Sequence, residues 1–168
     1  MMKNILEKYD IPILLSLTIL PLLSIIWTPL YIYYNGISWQ EPVILFVGWF
    51  LAGTGITVGY HRLFSHRTFK TYSLIEWFYM LMGSMALQNT IIHWCSDHRR
   101  HHKKLDTEED PYSIKKGFIH AHIGWIVKKN NHNIENVSDL EKKSAIKFQN
   151  RYYWPLALSL SFLFPLLI

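Results

Sequence analysis

VILFVGWFLAGTGITVGYHRLFSH, residues Val43–His66, decides the fold. From Val43 to Tyr60 it carries no charge, and a bilayer crossing takes roughly 17–25 apolar residues. The run then passes directly into two histidines, His61 and His66. Towards the N-terminus, the only charged residue between Asp10 and His61 is Glu41. A second apolar run, from about Ile11 to Tyr34, is therefore expected to pair with the first as a transmembrane helical hairpin over about 11–60. A secretory signal peptide is the competing reading. It fails because no small-residue cleavage site follows a short apolar core and a further span follows at once.

Charge sets the orientation. Lys3 and Lys8 precede the first span, Arg62, Arg67 and Lys70 follow the second, and the connecting loop from Asn35 to Gln40 has no basic residue. By the positive-inside rule both ends face the cytoplasm. Trp27, Tyr31, Tyr33, Tyr34 and Trp39 crowd the outer end as an aromatic belt. Charged residues make up only 17% of the chain, against about 25% in soluble proteins. The net charge of +5 then describes a cytoplasmic face that meets anionic lipid or acidic partners, and nucleic acid is excluded as a partner. The single cysteine, Cys95, excludes an internal disulfide.

Beyond the hairpin, Trp77–Ser96 is again uncharged. A third crossing there would carry His98, His101 and His102 to the far side from His61 and His66. The stretch also holds Gln88, Asn89 and His93, which are costly against lipid. It is expected to be a helix returning along the cytoplasmic face. A cytoplasmic cap is expected over about 61–151, and the uncharged run from Tyr152 to Ile168 reads as a partial third span. The chain is thus an all-α membrane protein. The sequon Asn136-Val137-Ser138 falls in the cap and is a chance match.

HRLFSH and HRRHH hold five of the nine histidines. On a helix His98, His101 and His102 share one face. His61 and His66 are about 140° apart on a regular α-helix, so they cannot grip one ion from it. Either the helix ends between them, or each serves a different metal of a pair; a two-metal site fits more easily. No H-E-x-x-H arrangement is present, which disfavours zinc-protease chemistry, and no Glu-x-x-His pair of the soluble di-iron type occurs. HRRHH alone reads equally well as a basic patch, with Arg99, Arg100, Lys103 and Lys104 solvated or facing lipid phosphates. His93, His120, His122 and His132 are read as interfacial or packed residues.

Four motifs carry a resemblance: HRLFSH at His61–His66; Gln88-Asn89 followed by Trp94 and Asp97–His102; Glu109–Tyr112; and Gly117–Trp125. In this order and spacing, from about Val43 to Tyr153, the chain resembles the N-terminal part of a membrane fatty acyl desaturase of the stearoyl-CoA (acyl-CoA delta-9) desaturase type. The resemblance implies a histidine-ligated di-iron centre that uses O₂ to place a double bond in a saturated acyl chain. It makes His61, His66, His98, His101 and His102 iron ligands. Gln88 and Trp94 match positions lining a bent acyl tunnel, although ordinary packing explains them equally. Asp97 is suited either to bind the substrate head group or to orient His98. Lys128 and Lys129 are candidates for phosphate contacts.

This chain departs from the family pattern in two ways. Ser96 stands where acyl-CoA enzymes have Arg, and Lys128-Lys129 is shifted by one residue. The acyl carrier is accordingly CoA, a carrier protein or a membrane lipid. Moreover, nothing after His102 has the form of the family's third box, H-x-x-HH. Five ligands cannot saturate two irons, so this polypeptide alone is expected to be inactive, completed by a downstream part or a second chain. Electrons are expected from a cytochrome b5-like or ferredoxin-like donor. The competing classes are a non-catalytic short membrane protein that binds lipid or metal, and a related histidine-box hydroxylase.

Overall fold

A computed structural model describes residues 8–129 and 133–167, and the described residues are helical with no strand. His132, read above as an interfacial or packed histidine, lies outside them. The chain divides into two compact units, Met1–Trp39 with Leu105–Asn133, and Gln40–Lys104 with Ile134–Ile168. This division differs from the expected segments 11–60, 61–151 and 152–168, because the middle of the expected cap belongs with the first helix.

In the first unit, α1 spans Ile11–Asn35. Asp10 caps it, its side chain accepting from the Ile13 amide at 3.2 Å, and Gly36 at φ 74 ends it. Pro21 and Pro29 lie inside α1, as bilayer-crossing helices tolerate. The entry to α1 is tied to the other part of its unit: the Asp10 amide donates to the Val127 carbonyl at 2.8 Å and the Lys129 amide to the Lys8 carbonyl at 3.1 Å. A loop there is organised around buried Asp110, which accepts from the amides of Asp106 and Tyr112.

In the second unit, α2 spans Gln40–Thr54 and continues as a π-helix over Gly55–Ser65. The helix runs from Gln40 to Ser65, past the expected end at Tyr60, and with α1 makes two helices long and apolar enough to cross a membrane. Then follow α3 at Ser73–Ser84, α4 at Ile91–Lys103 and α5 at Ser144–Leu158. The single returning helix expected over Trp77–Ser96 is in fact two. Leu87 and Asn89 take positive φ, 55 and 76, between them. Thr90 then caps α4 by accepting from the His93 amide. Tyr152, where the uncharged run begins, leaves helical geometry at φ −117, ψ 26, three residues before Pro155.

The core is built where the π-helix, α3, α4 and α5 meet. Tyr60, Phe64, Met80, Ile91, Cys95 and Ile146 are almost fully buried. The crossing of the π-helix and α3 is tight enough to require glycine. A Cβ on Gly55 would lie 2.2 Å from the Gly83 nitrogen, and one on Gly83 would lie 2.2 Å from Tyr60 Cε1. Gly83→Ala must therefore push the Tyr60 ring or separate the helices, costing about 1–3 kcal/mol as overpacking does. Thermal unfolding in detergent micelles should show a lowered midpoint; an unchanged one would mean that the crossing is looser than the contacts indicate.

Candidate metal centre

On α4, His98, His101 and His102 project along one side, and Arg100 at its back is buried. The last turn carries Arg100, His101, His102 and Lys103, where positive charge suits the negative end of the helix dipole. The π-helix supplies the other half. Its i→i+5 winding, seen in the 2.9 Å bond from the His66 amide to the His61 carbonyl, brings residues five apart back to one side. The obstacle set by α-helical geometry is thus removed by a different helix. The His61 and His66 rings stand 4.6 Å apart, centroid to centroid.

Four histidines converge. One nitrogen from each of His61, His66, His98 and His102 lies within 4.8 Å of the others. His98 is central: its Nε2 is 3.0 Å from His66 Nε2 and 3.1 Å from His102 Nε2. A neutral imidazole nitrogen has one proton or one lone pair to offer, so it cannot satisfy both neighbours by hydrogen bonding alone. A cation can serve all of them, since metal–nitrogen bonds of about 2.0–2.1 Å place ligand nitrogens about this far apart. The donor set therefore fits a metal ion. His101 is the expected ligand that stays outside this group: its ring is 6.3 Å from His98 and 5.4 Å from His102. Adjacent helix positions diverge by about 100°, and the first box approaches on the His102 side.

Its surroundings keep His98, the central ring, neutral. Burial, then the charges of His61, His102, His66 and His101, lower the His98 pKa to about 3. Burial also lowers His66. In the metal-free chain this shift couples folding to pH. Unfolded His98 takes a proton near pH 6.5 and folded His98 only near 3, so stability falls as pH drops through that window. Chelator-treated protein should melt earlier at pH 5 than at pH 7.5, and equal melting would contradict a neutral His98. Cys95, on the buried side of α4, offers no thiolate to the site, because burial pushes its thiol up to about 12.

Trp94, one turn before His98, stacks on its ring at 4.8 Å and 25°, and meets His61 edge-on at 6.2 Å. Its indole Nε1 donates to Gln88 Oε1 at 3.2 Å. Gln88 in turn lines a cavity of about 320 Å³ with Trp49, Ala52, Gly53, Ile56, Thr57 and Ala86. Gln88 and Trp94 are thus bonded partners, with one at the cavity and the other at the cage. Asp97 sits half-buried beside His98 on α4. Lys128 and Lys129 belong to the first unit, where Lys128 Nζ donates to His120 Nδ1 at 3.3 Å.

Two residues escaped the sequence reading. Gln149 on α5 is fully buried; its Oε1 accepts from the Ile91 amide, and its Nε2 donates to Tyr60 and Ser84. A lone glutamine on an amphipathic helix carries no motif. Arg99, which a basic patch would leave solvated or facing lipid phosphates, has a side chain 8% exposed and paired with Asp139. Only its place inside a histidine box hinted otherwise.

Two apolar helices of bilayer length and a cage assembled from two histidine boxes define the class, histidine-box membrane proteins. The family model for fatty acid desaturases matches residues 37–168, and the chain belongs to that family. It is 38% identical over 137 residues to the Delta(9)-fatty-acid desaturase fat-7 of Caenorhabditis elegans, covering 78% of this chain and 40% of that protein. It is 44% identical over 117 residues to a probable acyl-CoA desaturase of Schizosaccharomyces pombe, covering 68% and 24%. To the human stearoyl-CoA desaturase it is 36% identical over 126 residues, covering 71% and 35%. The chain thus spans less than half the length of these relatives.

Proposed function

We propose that this chain carries the first two histidine boxes of a membrane fatty acyl desaturase. The observation that carries the reading is the convergence of four imidazoles beside a cavity formed mainly by apolar residues. His61, His66, His98 and His102 hold iron, and His101, on the flank of the cage, serves a second iron with ligands from outside this sequence. Iron is chosen over zinc because the reaction is a redox one and zinc has no redox chemistry. When bound, the metal supplies O₂ activation: one O₂, two electrons and two protons become two waters while a –CH₂–CH₂– unit becomes –CH=CH–. The residues of the chain do the rest. The cavity lined by Trp49, Gly53 and Gln88 receives the acyl chain, and the Gln88–Trp94 bond fixes the indole between chain and cage.

The substrate is an acyl thioester, with CoA supported by the names of the relatives. The boxes face the cytoplasm, where the basic surface receives a cytochrome b5-like or ferredoxin-like donor. The test begins with the size of the native polypeptide by immunoblot of its own membranes. That species, at 20.0 kDa or larger, is then given a labelled saturated acyl-CoA, O₂ and reductant. A product lighter by two hydrogens supports the reading. A product heavier by one oxygen would make the protein a hydroxylase, and unchanged substrate in iron-replete membranes would overturn the enzyme reading.

A further inference from the structure

The two boxes lie on different helices, so something must fix one against the other. Arg99, between His98 and Arg100 on α4, reaches back to the last turn of the π-helix. Its Nε donates to the Ser65 carbonyl at 3.0 Å and its Nη2 to the Phe64 carbonyl at 2.8 Å. A helix leaves these final carbonyls without donors of its own, and Ser65 immediately precedes His66. The remaining guanidinium edge is taken by Asp139: Nη1 to Oδ1 at 2.7 Å and Nη2 to Oδ2 at 3.0 Å, with the Asn136 carbonyl accepting as well. A bidentate carboxylate fixes the plane of the guanidinium as well as its position. Arg67 adds a looser contact to Asp139 at 3.7 Å.

We propose that Arg99, locked by Asp139, is a positioning residue for the metal centre: it clasps the end of the first histidine box to the second and so sets the His66–His98 distance. The segment that bears Asp139 is also held elsewhere. Arg100 pairs with Glu135 at 3.0 Å, and the Glu135 amide donates to Ser96 Oγ at 3.0 Å. Docking of that segment and alignment of the boxes are therefore separable. Arg99 serves both, whereas the Arg100–Glu135 pair serves the docking.

The proposal rests on the reading that the four histidines hold a metal. Its test is cobalt(II) titration of the full chain in detergent micelles, followed by visible absorption, with far-ultraviolet circular dichroism as a check on folding. Arg99→Lys keeps the charge but cannot hold two carbonyls and a carboxylate in one plane. It should weaken cobalt binding by on the order of 10–100-fold, the range for groups that orient metal ligands, and alter the cobalt spectrum. Asp139→Asn should do the same more mildly, and Arg100→Lys should bind like the wild type. Wild-type affinity and spectrum in Arg99→Lys would overturn the clasp, as would an equal loss in Arg100→Lys. If Arg99→Lys fails to fold, Asp139→Asn carries the test, and unchanged binding there overturns the proposal. A folded wild-type chain that takes up no cobalt would overturn the metal reading, and the clasp with it.

Discussion

Replacing His98 by alanine should empty the cage. His98 is the one ring whose nitrogen lies 3.0–3.1 Å from the nitrogens of two other members, and it stands 4.7 Å from the His61 ring. Without it, His61 and His66 on one helix face His102 on the other with no donor between them. Loss of a ligand should exceed the roughly 10–100-fold loss that follows from disturbing a group behind a ligand. The fold should survive, since His98 is only half-buried and lies outside the buried hydrophobic cluster. The measurement is iron content and cobalt affinity of the purified variant beside its circular dichroism. In native membranes the same variant should form no unsaturated product. His101→Ala sharpens the comparison, because its ring is outside the four-nitrogen group. It should keep the first ion and lose the second. Wild-type metal content in His98→Ala would remove the four-histidine site, and equal losses in both variants would mean that His101 belongs to the same ion.

Gln149→Leu should be the most damaging substitution remote from the cage. Leucine fills a similar volume, but three buried partners lose their mate: the Ile91 amide, the Tyr60 hydroxyl and the Ser84 hydroxyl. Ser84 is also bonded to the Met80 carbonyl at 2.7 Å, and Tyr60 reaches the Asn89 carbonyl only at 3.5 Å. The Ile91 amide suffers most, because it opens the first turn of α4, where the helix supplies no acceptor. An orphaned buried group costs about 1–3 kcal/mol, a large share of a stability of roughly 5–15 kcal/mol. The damage is directional, since α4 begins at this bond and carries Trp94 and His98 further along. Thermal unfolding should show a markedly lower midpoint with weaker cobalt binding, whereas unchanged values would reduce Gln149 to a spectator.

Much of this was legible in the chain itself. The lone Glu41 between Asp10 and His61 marks two apolar helices, and the i, i+3, i+4 spacing of His98, His101 and His102 marks a shared helix face. The break at Met85–Thr90 was missed because an uncharged stretch looks continuous, although Asn89-Thr90 is a turn and cap signal. The burial of Arg99 and Arg100 was not legible because arginine is seldom buried unless paired, and their partners Asp139 and Glu135 lie 35–40 residues away.

By itself the sequence determined which residue types are available and on which local periodicity: apolar runs of bilayer length, and histidines in two short boxes. Those are properties of neighbours within a turn or two, and they depend only on helix geometry and transfer from water. The tertiary structure alone decided which histidines meet. It wound Gly55–Ser65 as a π-helix so that His61 and His66 share a side, and it set His101 apart from His102. That choice depends on how the π-helix packs on α3 and α4, through Gly55, Gly83 and the Arg99 clasp, and contacts between segments distant in the chain leave no periodic trace in it.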